Sequence, residues 1–157
     1  MIHILSLLMF TLASAQAPDV GQTHGPTVVF VCEHGVAKSV IAASHFNKLA
    51  IERGLAVRAV SRGVELEPAV PDRVRDGLRS EGVPLPSGFV PTRVRASDTK
   101  AAARVVTFDL QLPGDATTAS AINWVGVPAV SDGYAAASAE IQARVEALIA
   151  ELSARQR

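Results

Sequence analysis

Residues Thr27–Ala50 read TVVFVCEHGVAKSVIAASHFNKLA, and three kinds of structure follow one another within them. Val28–Val31 is a short β-branched apolar run, the pattern of a buried strand. Cys32–Lys38 contains Gly35 and small residues, which suits a tight loop. From Ser39 the apolar residues recur at helical spacing, with no Gly or Pro before Gly54. A strand–loop–helix of this kind brings the loop's N–H groups to a helix N-terminus. Unpaired donors and the positive end of the helix dipole converge there and favour an anion. A concave nest of amides in the loop adds to that attraction.

Cys32, the one cysteine of the chain, stands first in the loop. A field that holds an oxyanion also favours a thiolate, and a thiolate is a nucleophile. Lys38 adds a cation six residues on, and Ser39 adds a hydroxyl. Cys-x5-Lys-Ser after an apolar strand therefore reads as an oxyanion-binding loop with its own nucleophile. The residues lining it would be Glu33, His34, Gly35, Val36, Ala37 and Ser39.

This stretch resembles the low-molecular-weight protein tyrosine phosphatases and the arsenate reductases that share their fold. That family reads apolar strand, Cys, two residues, Asn, two residues, Arg-Ser. Cys32 and Ser39 match; Gly35 stands at the Asn and Lys38 at the Arg. Gly35 is compatible, because Asn and Gly both accept the positive φ that a nest requires, but it removes side-chain bracing. Lys38 weighs more. Arg grips two oxygens through a planar fork, whereas Lys is a point charge on a flexible stem. Losing a fixed transition-state donor costs about 10²–10³ in rate. The expectation is good anion binding with weak turnover.

The loop admits two other readings. A nucleotide P-loop would end in Lys38-Ser39, but Cys32 and Ala37 occupy both of its glycine positions. A buried, inert cysteine before an ordinary helix is the common fate of a lone Cys; the spacing to Lys-Ser weighs against it.

The length of 157 residues suits one domain, and 48% hydrophobic with 19% charged residues indicates a globular chain. A net charge of +0 and 4% aromatic residues argue against a nucleic-acid partner. Met1–Ala17, MIHILSLLMFTLASAQA, resembles a secretory signal peptide, with Ala13-Ser14-Ala15 or Ala15-Gln16-Ala17 as cleavage sites but only His3 in place of a basic start. This predicts a periplasmic or secreted protein with no membrane attachment once mature. If the domain simply starts near Pro26, it is cytoplasmic. Residues 18–26 read as a linker and 27–157 as the domain.

Further along, Ala56–Ser61 reads as a second strand, followed by Ser61-Arg62-Gly63 where the family has Ser-Ala-Gly. Asp72–Ser80 reads as a helix and 83–90 as a loop. A short helix capped by Ser97 or Asp98 runs to Ala103. Arg104–Asp109 and Ala121–Val125 read as strands, and Tyr134–Arg157 as the longest helix. Residues 110–118, where the family has another helix, lack periodicity. Alternating strands and helices predict an α/β fold of three layers, with a four-stranded parallel sheet in order 2-1-3-4 and helices on both faces. Asp109, at a strand's carboxyl end, reads equally as a residue at the loop's mouth or a solvated turn residue.

Asp132-Gly133-Tyr134 stands where the family has Asp-Pro-Tyr. The resemblance implies that Asp132 is the acid that protonates the leaving alkoxide and then activates water. Tyr134 would flank an aromatic substrate; the plainer alternative is a helix-capping Asp with Tyr134 as packing. His24, His34 and His45 lack metal-ligand spacing, and one Cys builds no zinc site, so no metal or cofactor is expected. Three functions follow. The first is a phosphomonoester hydrolase, with phosphotyrosine among its candidate substrates, acting through Cys32, Lys38 and Asp132. The second is arsenate reduction completed by an external thiol, since one cysteine allows no internal disulfide relay. The third is a non-catalytic oxyanion-binding domain. The partners are an oxyanion or a phosphorylated substrate; the oligomeric state is not specified.

Overall fold

The computed structural model describes residues 25–83 and 85–155. The leader-like segment 1–17, most of the 18–26 linker and the last two residues that the sequence reading gives to the final helix lie outside these. Four strands, β1 (Thr27–Cys32), β2 (Arg58–Gly63), β3 (Ala102–Phe108) and β4 (Ala121–Trp124), form one parallel sheet in the order β2-β1-β3-β4. Helices α1 (Lys38–Glu52), α2 (Asp72–Ser80), α3 (Ala96–Lys100) and α4 (Tyr134–Arg155) complete it.

Period-two alternation along β1 divides the interior in two. Val28, Phe30 and Cys32 face one way and join Ile41, Phe46, Leu78, Ile141 and Ile149, beneath α1, α2 and α4. Val29 and Val31 face the other way, with Val94, Val105 and Ala116. The second face is covered more thinly, by α3 and a 3-10 turn at Gly114–Ala116. Central β1 is therefore apolar on both faces, as a parallel strand covered twice must be. Phe30 anchors the larger core, 5.9 Å from the ring of Phe46 and 5.7 Å from that of Trp124.

Element boundaries differ from the sequence reading by a few residues at several ends; β1 gains Thr27 and Cys32, and β3 runs Ala102–Phe108 where residues 104–109 were expected. β2 starts and ends two residues later, because it pairs with β1 from Thr27↔Arg58 through Cys32↔Gly63. α3 stops at Lys100, because Ala102 is already paired with Thr27. Residues 110–118, read as irregular, contain the 3-10 turn. α2 spans the residues read for it and is preceded by Pro71. All four strands are parallel, so their carboxyl ends lie along one edge. That edge gathers Cys32, Asp109 and the segment after Trp124.

Candidate active site

Cys32 closes β1 and is 6% exposed. Its sulfur lies 3.0 Å from Ser39 Oγ, which lies 2.8 Å from Ser61 Oγ. The Ser61 hydroxyl also reaches the Gly35 carbonyl at 3.4 Å. This hydroxyl chain serves either state of the sulfur. With a thiol, Cys32 donates to Ser39, Ser39 to Ser61, and Ser61 to Gly35. With a thiolate, Ser39 donates to sulfur and Ser61 to Ser39, and only the long outer bond is given up. In the thiol state Ser61, on the neighbouring strand, thus supplies part of the bracing that Gly35 removes from the loop.

Gly35 has φ +68°. A Cβ there would lie 2.9 Å from Gly63 N, and one on Gly63 would lie 2.7 Å from Gly35 N. The loop rests directly on the end of β2, and neither position has room for a side chain. The loop carbonyls are spent on the chain after β2. Glu33 O accepts from Val64 and Glu65, and His34 O accepts from Glu67. The N–H groups of residues 33–37 donate to no backbone carbonyl among the described residues. Ala37 precedes α1 without a side-chain cap. The loop and the first turn of α1 therefore hold a set of unspent donors.

Cys32 lines a crevice of about 490 Å³. Glu33, His34, Val36, Ala37 and Lys38 form one side of it. Glu67, Pro71, Arg73 and Val74 form a second side, and Ala129, Val130 and Ser131 a third. A larger hollow of about 620 Å³ lies between α1, β2 and residues 82–92, and Cys32 does not line it. His34 is oriented by donating Nδ1–H to Glu65 O at 3.2 Å. Its Nε2 lies 3.8 Å from Glu33 and 3.9 Å from Glu67.

Lys38 lines the crevice, but its ammonium is engaged. It donates to Asp109 Oδ2 at 3.0 Å and to Val127 O at 2.7 Å. Asp109 takes the left-handed conformation, φ +52°, and its other oxygen accepts from Gly126 N at 2.8 Å. The Gly126 N–H, and then Lys38, hold its carboxyl below the usual range against the opposing effect of partial burial. Of the two sequence readings of Asp109, a residue near the loop's mouth describes it better than a solvated turn residue. Its carboxylate neutralises the charge that the loop motif carries.

The structure separates Asp132 and Tyr134. Asp132 is exposed and accepts a hydrogen bond from the Ser131 hydroxyl at 3.1 Å. It directly follows the crevice-lining segment 129–131 without itself lining the crevice. Tyr134 is not a crevice residue, contrary to the expectation that it flanks the substrate. Its ring lies over Gly77, where an added Cβ would come within 2.3 Å of it. Its hydroxyl donates to Glu81 Oε2 at 2.7 Å. Glu81 also meets His45 Nε2 at 2.9 Å and accepts from Ser138 at 2.9 Å, joining α1, α2 and α4. Burial, and then the Glu81 carboxylate, push the Tyr134 hydroxyl well above its usual range. Tyr134 therefore serves as packing.

Sequence reasoning missed Arg73. It lines the crevice and donates from Nη1 to Ser131 O at 3.2 Å, joining α2 to the segment before Asp132. In the sequence it is one of several charged residues on a short polar helix. Only the packing of α2 brings it to the crevice that Cys32 also lines. Among the described residues no cluster of three or more His, Cys, Asp or Glu has the makings of a metal site, and no helix is long and apolar enough to cross a membrane.

Residues 27–123 match the family described as low molecular weight phosphotyrosine protein phosphatase. No curated protein is significantly similar. Among solved structures, YfkJ from Bacillus subtilis superposes with a TM-score of 0.76 at 19% identity, covering 87% of this chain and 100% of its own. The low molecular weight protein tyrosine phosphatase of T. tengcongensis gives 0.71 at 19%, covering 81% and 99%. An arsenate reductase from Archaeoglobus fulgidus DSM 4304 gives 0.64 at 28%, covering 78% and 98%. With the fold, the cysteine loop and the family match in agreement, this chain belongs to the low molecular weight phosphotyrosine protein phosphatase family.

Proposed function

We propose that the protein is a phosphomonoester hydrolase acting through Cys32, with aryl phosphates such as phosphotyrosine as the substrate class. One observation carries this reading: Cys32 lines a crevice, opens a loop whose N–H groups donate to no backbone carbonyl among the described residues, and has a hydroxyl 3.0 Å from its sulfur. The thiolate attacks phosphorus, forming the S–P bond as the ester P–O bond breaks. Loop amides and the first turn of α1 take the charge on the non-bridging oxygens. Ser39 donates to the thiolate that leaves in the second step. Asp132 gives its proton to the departing oxygen, then takes one from the water that hydrolyses the phosphocysteine. Lys38, already paired with Asp109, contributes less than a free cation at its position would. The test is release of phosphate from an aryl phosphate. Cys32→Ser should abolish it and Asp132→Asn should slow it; release undiminished in Cys32→Ser refutes the reading.

The 28% identity to an arsenate reductase supports a second reading. Here Cys32 attacks arsenate and displaces water, and an external thiol attacks the arsenylated sulfur. Two thiols are oxidised to a disulfide as arsenate becomes arsenite. Arsenite formation that depends on added thiol identifies this activity. Phosphate binding with neither product identifies a binding domain, in which Lys38→Arg should restore turnover.

A further inference from the structure

Resting on that oxyanion reading, we propose that Arg73 on α2 is the cation that grips the bound oxyanion, in place of the motif's own Lys38. Lys38 directs two of its three donors to Asp109 and Val127 O. Asp109 in turn is fixed by Gly126 N. A cation so compensated adds little net charge to the crevice. Arg73 is differently placed. It lines the same crevice as Cys32, is exposed, and has no carboxylate partner among the described residues. One of its five N–H donors goes to Ser131 O, leaving most of the planar fork free for a tetrahedral oxyanion. The Ser131 bond also limits the fork's motion, so less rotamer freedom is lost on binding. A guanidinium from another helix thus takes the role that the loop gives up where Lys replaces Arg.

The chain has a single cysteine, so alkylation by iodoacetamide reports on Cys32 alone. Inorganic phosphate is the probe, and its concentration for half-protection is read for each variant. Arg73→Gln should raise that concentration about ten-fold or more, the size a charge-assisted hydrogen bond contributes. Arg73→Lys, which keeps the charge and loses the fork, should fall between. Raising ionic strength should weaken protection more in the wild type than in Arg73→Gln. A residue that merely braced the 129–131 segment would not change that salt dependence. A change under two-fold in Arg73→Gln, or an unaltered salt dependence, overturns the assignment while leaving the oxyanion reading intact. Absence of protection by phosphate in the wild type overturns both.

Discussion

Replacing Gly35 by Ala tests the close seating of the cysteine loop on β2. Two costs are worked from the structure. The residue has φ +68°, which costs an L-residue about 1–2 kcal/mol. The new Cβ would also lie 2.9 Å from Gly63 N, 3.0 Å from its Cα and 3.2 Å from Arg62 C. These are backbone atoms of a paired strand with no flexible side chain to yield, so overpacking adds about 1–3 kcal/mol. Gly54 supplies the control. It has φ +64° with nothing within 4 Å of its Cβ, so Gly54→Ala carries only the conformational cost. Urea unfolding followed through the single Trp124 should place Gly35→Ala below Gly54→Ala by about 1–3 kcal/mol. Gly35→Asn, which introduces the residue usual in the family, carries the same Cβ and should also be destabilised. Equal losses in Gly35→Ala and Gly54→Ala, within about 0.5 kcal/mol, would refute the reasoning.

Tyr134 is the only tyrosine, so its phenolate absorbance reads one site. Its raised pKa stabilises the fold fully below the unfolded tyrosine's value of about 10, and this contribution is lost as pH rises beyond it. Phenolate should therefore appear only together with unfolding, and a reversible midpoint near 10 in the folded protein would contradict the burial of Tyr134 and its Glu81 contact. Glu81→Ala removes the acceptor of His45, Tyr134 and Ser138. It should cost about 2 kcal/mol in urea unfolding, because part-buried donors are left without their acceptor, and a loss under about 1 kcal/mol would argue against Glu81 as the hub.

Much of the architecture was legible because its signals are local. The apolar run of β1, the helical spacing of Ile141, Val145 and Leu148, and the alternation of strand and helix together specify a parallel sheet. Boundaries were less legible where pairing decides them. β2 extends to Gly63 because β1 extends to Cys32, and nothing within residues 56–63 states that. At the site, the strand–loop–helix around Cys32 could be read from spacing. The partners of its side chains could not.

Residue order alone determined that a cysteine would directly follow an apolar strand ahead of a helix N-terminus, since both follow from periodicity within some twenty-five residues. Tertiary packing decided where the charges went. Lys38 met Asp109 across 71 positions of chain, Tyr134 turned to Glu81 across 53, and Arg73 reached Ser131 across 58. Such encounters depend on how helices settle on the sheet, and a long polar side chain has several partners within reach until that packing selects one.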